Sequence, residues 1–200
     1  MPQIAVLTAE EARARLRKEM EPDTFAHAER AADLARQLAE IHGVDPDRAE
    51  LAGLLHDIAD RFSERELAIL ADRYGISVSL TEARVPKLLH AKVGAEILRR
   101  EWGITDEELL DAVGEHITGG VRMSPLSKVT FVADKLEAGR DRYYGGLDGT
   151  REAARVDLDE AMLQLYAWRM DDLVRNNRPV DDALVAARNR LIDRMIARRR

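Results

Sequence analysis

Apolar residues recur every three to four positions along almost the whole chain, and no segment alternates apolar and polar residues as a half-buried strand would. The fold class expected is therefore all-α. Local signals divide the pattern into helices. Thr8 with Glu11 forms a capping box ahead of a run to about Met20. Pro22, Asp23 and Thr24 open a second helix that stops at His42 and Gly43. Asp45 followed by Pro46 starts a third, expected to reach about Asp60. Ser63 with Glu66 caps a fourth, closed by Tyr74 and Gly75. A looser stretch, ISVSLTEARVP, leads to a fifth helix from about Leu88 to Trp102. Thr105 with Glu108 marks a sixth, to about His116, and Ser124 with Pro125 a seventh, ending at Gly139. RDRYYGGLDGT reads as a loop, followed by helices over about 156–175 and 181–200. No composition shift marks a linker, so one domain over 1–200 is expected.

Composition narrows the chemistry. Of 200 residues, 46% are hydrophobic, enough for one sizeable core. With no cysteine, disulfides and thiolate-ligated metal sites are excluded. No apolar run approaches the length of a membrane span, and the N-terminus lacks a basic-then-apolar leader, so a cytoplasmic protein is expected. A net charge of −6 argues against a general nucleic-acid partner. The basic end RNRLIDRMIARRR reads as a solvated helix terminus.

The placement of the five histidines is more informative. His27 heads the apolar stripe Ala31, Leu34, Leu38, Ile41. His56 lies inside LAGLLHDIA, His90 aligns with Val93, Gly94 and Ile97, and His116 continues Leu109, Ala112 and Val113. His42, at a helix end, reads as a surface residue. Asp57 and Asp134 occupy equally apolar surroundings, and neither has an obvious basic partner one turn away apart from Arg61. Buried carboxylates are costly unless paired or bound to metal. Metal ions would satisfy all six groups together, and imidazole with carboxylate suits iron, manganese, cobalt, nickel or zinc.

The order His27, His56-Asp57, His90, His116, Asp134 resembles the HD-domain phosphohydrolases. More narrowly, the stretches HAERAADLA, ELAGLLHDIAD, LLHAKVGAEILRREWGI, EHITGG and MSPLSKVTFVADKLEAGRD resemble the YqeK family of symmetrical diadenosine tetraphosphate hydrolases. The resemblance implies an HD helical bundle, its core at about residues 22–140 with helical extensions at both ends. It implies a dinuclear, iron-type centre in which His27, His56, Asp57 and Asp134 hold one metal. His90 and His116 would hold the second, with Asp57 bridging. Asp57, His90 and Arg61 are then the expected catalytic residues, and Arg30, Thr118, Gly119, Arg140 and Arg188 the expected substrate-binding ones. Lys92, Lys128 and Lys135 are further candidates for phosphate, and Tyr143, Tyr144 or Trp168 for stacking on a base.

The family usually continues His-Asp-x-Ala-Lys. Here the lysine position is Asp60, and the neighbouring Arg61 is expected to supply the charge. The implied reaction takes a dinucleoside polyphosphate as small-molecule substrate and gives two ADP (or GDP-like) products. Two divalent ions against two carboxylates leave the site at about +2, so a chain of net −6 can still attract a polyphosphate locally. Two other readings are an HD phosphohydrolase of monophosphates, deoxynucleotides or guanosine polyphosphates, and a nucleotide-binding module without catalysis. The long terminal helices make a homodimer an expectation.

Overall fold

The computed structural model describes residues 7–142 and 146–198. All regular structure among them is helical. The elements are α1 (Ala9–Glu19), α2 (Pro22–His42), α3 (Pro46–Leu55), α4 (Glu64–Tyr74), α5 (Leu80–Arg84), α6 (His90–Glu101), α7 (Glu107–Gly114), α8 (Pro125–Leu136), α9 (Asp148–Val156), α10 (Leu158–Arg175) and α11 (Asp182–Arg198). Short 3-10 turns cover Pro86–Leu89 and Ala138–Arg142. No helix among the described residues is long and apolar enough to cross a membrane.

The capping signals act as expected at α1 and α4, where both halves of each box form. Gly43 and Gly75 close α2 and α4 with φ of 68° and 71°, the left-handed region a Cβ disfavours. Several boundaries differ from the sequence reading. The third helix ends at Leu55 rather than near Asp60, because Ile58 and Asp60 donate to Leu55 and Asp57 in tight i→i+3 turns. Asp106, not Thr105, caps α7, and that helix stops at Gly114, two residues before His116. The looser stretch contains α5, capped by a Ser79–Glu82 box. α9 begins within the segment read as loop, ahead of the expected start near 156, and is separated from α10 by Asp157, whose side chain caps α10.

The core lies where α2, α3, α7, α8 and α10 meet. α2 turns a face of small residues (Ala28, Ala31, Ala32, Ala35) inward, so α3 can approach closely. Gly53 marks the contact: a Cβ there would lie 2.7 Å from the Ala32 Cα. Backbone cannot yield as a side-chain tip can, so Gly53→Ala must push α3 off α2. We expect it to cost about 1–3 kcal/mol, as overpacking does, in a denaturant titration. Unchanged stability would show that the two helices are not held at this spacing.

Candidate metal centre

Five elements each deliver a donor to one point. His27 projects from α2, and Asp134 from the buried face of α8. His56 caps α3 and Asp57 follows in the tight turn. His90 is the first residue of α6, and His116 follows the end of α7. The early ends of α3 and α7 thus serve the site. A continuing helix would point residues 56, 57 and 116 along its own stripe, whereas the turns aim them inward.

The ring orientations are fixed from behind. His56 Nδ1 donates to the Gly53 carbonyl at 2.7 Å, His116 Nδ1 to Val113 at 2.7 Å, and His90 Nδ1 to Lys87 at 2.6 Å. His27 Nδ1 donates to Glu137 Oε1 at 3.1 Å. Each carbonyl or carboxylate requires an N–H at Nδ1, so in the neutral imidazoles it is Nε2 that presents the lone pair. Those lone pairs face one another, at 3.2 Å for His27–His56 and 3.1 Å for His90–His116. The Asp57 carboxylate lies between the two pairs. Its Oδ2 is 3.2 Å from His56 Nε2 and 3.6 Å from His27 Nε2. Its Oδ1 is 3.1 Å from His90 Nε2 and 3.3 Å from His116 Nε2. Asp134 Oδ1 completes the first group, 3.1 Å from His27 Nε2.

Arg140 Nη2 reaches His27 Nε2 at 3.0 Å. The Nε2 atoms of His56, His90 and His116 face other lone pairs and carboxylate oxygens, and such a set of acceptors calls for a cation. Two ligands each about 2.1 Å from one ion stand about 3.0–3.4 Å apart at angles of 90–109°, close to the spacings here. The protein's own electrostatics carries the same demand. Against the opposing cost of burial, Asp57 and Asp134 push the His56 imidazole up to about 10. Burial, with the neighbouring His56 and His90, brings His116 down to about 4 despite Asp57. Both carboxyls are held well below their usual range in spite of burial, Asp57 chiefly by His56, and Asp134 by Lys135 and Arg140. A divalent cation meets that demand with all four imidazoles neutral, the state in which they ligate.

The centre forms the floor of an open cleft of about 530 Å³. Asp134 does have basic partners: Arg140 Nη2 bonds its Oδ1, and Lys135 Nζ lies 3.0 Å from Oδ2. Lys135 also donates to the His116 carbonyl. Arg30 is held at 2.5 Å by Glu137 Oε2. Leu147, Leu165, Trp168 and Ile117 give the cleft an apolar wall.

Other expected site residues lie elsewhere. Arg61 Nη1 pairs with Glu19 at 2.5 Å and its guanidinium packs on Phe62, so it does not bring charge to the centre. The cation beside Asp60 is Lys87, 2.8 Å from its Oδ1. Thr118 lines a separate small recess beside Val85 and Leu88. Gly119, at φ 71°, packs under Tyr166, where a Cβ would fall 1.9 Å from the hydroxyl. Arg188 bonds Asn189 on α11, away from the cleft. Lys92 pairs with Glu82 and Lys128 with Asp159, both outside the cleft lining. His42, read as a free surface residue, bonds the Ala154 carbonyl at 2.7 Å and ties α2 to α9. Tyr143 and Tyr144 lie outside the described residues. Sequence reasoning missed Glu137, which touches both His27 and Arg30, and Lys87, the cation beside Asp60.

The HD domain family matches residues 24–139, more than half of the chain. The chain belongs to the HD-domain family. HD proteins are metal-dependent, and the His/Asp cluster is the place in this member that could hold metal. Two of its relatives carry the same name. It is 34% identical over 174 residues to a symmetrical bis(5'-nucleosyl)-tetraphosphatase of Bacillus subtilis, covering 87% of this chain and 92% of that one. It is 36% identical to the Staphylococcus aureus protein of the same name, over 76% of this chain and 78% of that one. At these identities the chain is a member of that tetraphosphatase branch, the YqeK family. A crystal structure from Clostridium acetobutylicum, described as a predicted HD superfamily hydrolase involved in NAD metabolism, superposes with a TM-score of 0.90. It is 28% identical and covers 95% of this chain and 100% of that one.

Proposed function

We propose that this protein hydrolyses diadenosine tetraphosphate symmetrically to two ADP, at two divalent metal ions, iron by our reading. The observation that carries the proposal is the division of Asp57, one oxygen toward each imidazole pair, beneath a cleft rimmed by cations. His27, His56, Asp134 and Asp57 Oδ2 would hold one ion, and His90, His116 and Asp57 Oδ1 the other. The B. subtilis and S. aureus relatives supply the substrate. We read the HD core, about residues 22–140, as carrying the centre, with the outer helices as extensions.

Bound there, such ions act as Lewis acids toward phosphoryl oxygens and bring the pKa of a coordinated water toward about 7. The chain's own residues do the rest. Three main-chain carbonyls and Glu137 hold the imidazoles in one tautomer, so the donor set needs no rearrangement when substrate arrives. Arg140 and Lys135 place positive charge beside Asp134, where phosphoryl oxygens gather it. The leaving ADP is a stabilised oxyanion, so the site needs charge neutralisation more than a proton donor. Trp168 and its apolar neighbours offer a face to an adenine.

The test is product identity. Metal-loaded protein incubated with diadenosine tetraphosphate should give ADP as sole nucleotide product by ion-exchange chromatography. ATP with AMP would refute symmetrical cleavage. Inertness toward the dinucleotide, with orthophosphate released from mononucleotides, would move the chain to the other HD phosphohydrolases.

A further inference from the structure

The cations around the cleft are unevenly distributed. Arg140 and Lys135 bond Asp134 and Arg30 bonds Glu137 behind His27, so these three gather at the first imidazole pair, Lys135 reaching the His116 carbonyl as well. Arg169, which also lines the cleft, pairs with Asp172. On the His90 side the structure offers Lys87. Its ammonium donates to the Asp60 main-chain oxygen at 2.6 Å and faces Asp60 Oδ1 at 2.8 Å. The Asp60 carboxylate has an oxygen within 4.8 Å of donor atoms of Asp57 and His90. Lys87 and Asp60 both line the cleft, with side chains 41% and 30% exposed, so the ammonium is anchored but reachable.

We propose that Lys87 is a substrate-binding residue that takes phosphate oxygens of the polyphosphate half extending past His90. This rests on the reading of the site as a polyphosphate hydrolase. A chain cleaved at its middle carries equal charge on both sides of the centre. Arg140 and Lys135 meet one half, and without Lys87 the other half would run onto the bare carboxylate of Asp60. Asp60 thus has two effects: it holds the ammonium at the rim, and it would repel phosphate if the ammonium were removed. Losing a charge-assisted bond of this kind weakens binding roughly tenfold or more.

Lys87 has a second link to the centre, since its carbonyl accepts from His90 Nδ1. A side-chain substitution leaves that carbonyl in place, which lets the two roles be separated. The experiment compares wild type, Lys87→Met and Lys87→Arg as metal-loaded proteins. It measures metal content, and binding of inorganic tripolyphosphate and orthophosphate by titration calorimetry. The expected result is unchanged metal content and tripolyphosphate binding at least tenfold weaker in Lys87→Met. Orthophosphate binding should change less than twofold, because it reaches the centre without extending past His90. Lys87→Arg should recover most of the lost affinity. Equal weakening of both anions with a fall in metal content would make Lys87 a latch on the loop and overturn the proposal. Unchanged tripolyphosphate binding would also overturn it. Wild-type protein that fails to split diadenosine tetraphosphate, yet shows the tripolyphosphate loss in Lys87→Met, would refute the assigned substrate and leave the role of Lys87 standing.

Discussion

Asp57→Ala is expected to remove metal binding and hydrolysis together, with activity reduced well beyond the 10–100-fold that loss of a supporting residue costs. Among the described residues, Asp57 is the side chain placed between both imidazole pairs, with an oxygen toward each. Without it, the carboxylate left near His90 is Asp60, which Lys87 holds, while Asp134 Oδ1 points to His27 and His56. The alanine protein loses a buried ionic partner and could also be less stable. Asp57→Asn separates the two effects. Its amide keeps the shape and can donate to an imidazole lone pair, so the fold should persist, but a neutral donor cannot stand between two cations. Metal analysis by mass spectrometry and the thermal midpoint should therefore diverge: little metal, near-native melting. Either variant retaining metal and full activity would refute the assignment of Asp57.

Much of this centre was legible from sequence for a specific reason. His27, His56, His90, His116, Asp57 and Asp134 are polar residues on apolar stripes, and such positions demand a partner whatever the fold. Helix starts were legible where the signal is local, as in the Thr8 and Ser63 boxes. What failed depends on distant contacts. Arg61 is the basic residue that the sequence places next to Asp60. One residue along a turn sends its side chain instead to Glu19, 42 positions away. Lys87 reaches Asp60 across 27 positions, by way of a 3-10 turn that no periodicity announces. Gly119 matters for the room it leaves Tyr166 rather than for a ligand, and Tyr166 lies 47 residues further on. The start of α9 reads as loop because Asp148 and Gly149 obscure the apolar pattern, and Ala154 is the buried residue of the helix.

Glu137 was missed because its role arises where α8 stops. At φ −57° and ψ 152° the chain leaves the helix at this residue. Its carboxylate turns inward, to 2% exposure, between His27, Arg30 and the Gly139 N–H. Against the cost of burial, these bonds hold it below its ordinary pKa, Arg30 first among them. It is therefore an anion behind a ligand, which fixes the His27 tautomer and makes Nε2 a better donor. Glu137→Gln keeps the volume but offers one carbonyl oxygen where Glu137 has two. It can still accept from the Gly139 N–H, but it cannot also accept fully from His27 and Arg30. We expect metal affinity to fall 10–100-fold, measured by competition with a chelator, while helix content is unchanged. Glu137→Ala should do more, because Arg30 and the Gly139 N–H lose their acceptor along with His27. Arg30 is 37% exposed and its released charge can be solvated, so the expected loss is that of leaving buried donors without an acceptor, about 1–3 kcal/mol, which a denaturant titration would register. Were Glu137→Gln to bind metal as tightly as wild type, the carboxylate would be holding the α8 end and Arg30 in place, and His27 would be oriented by packing alone.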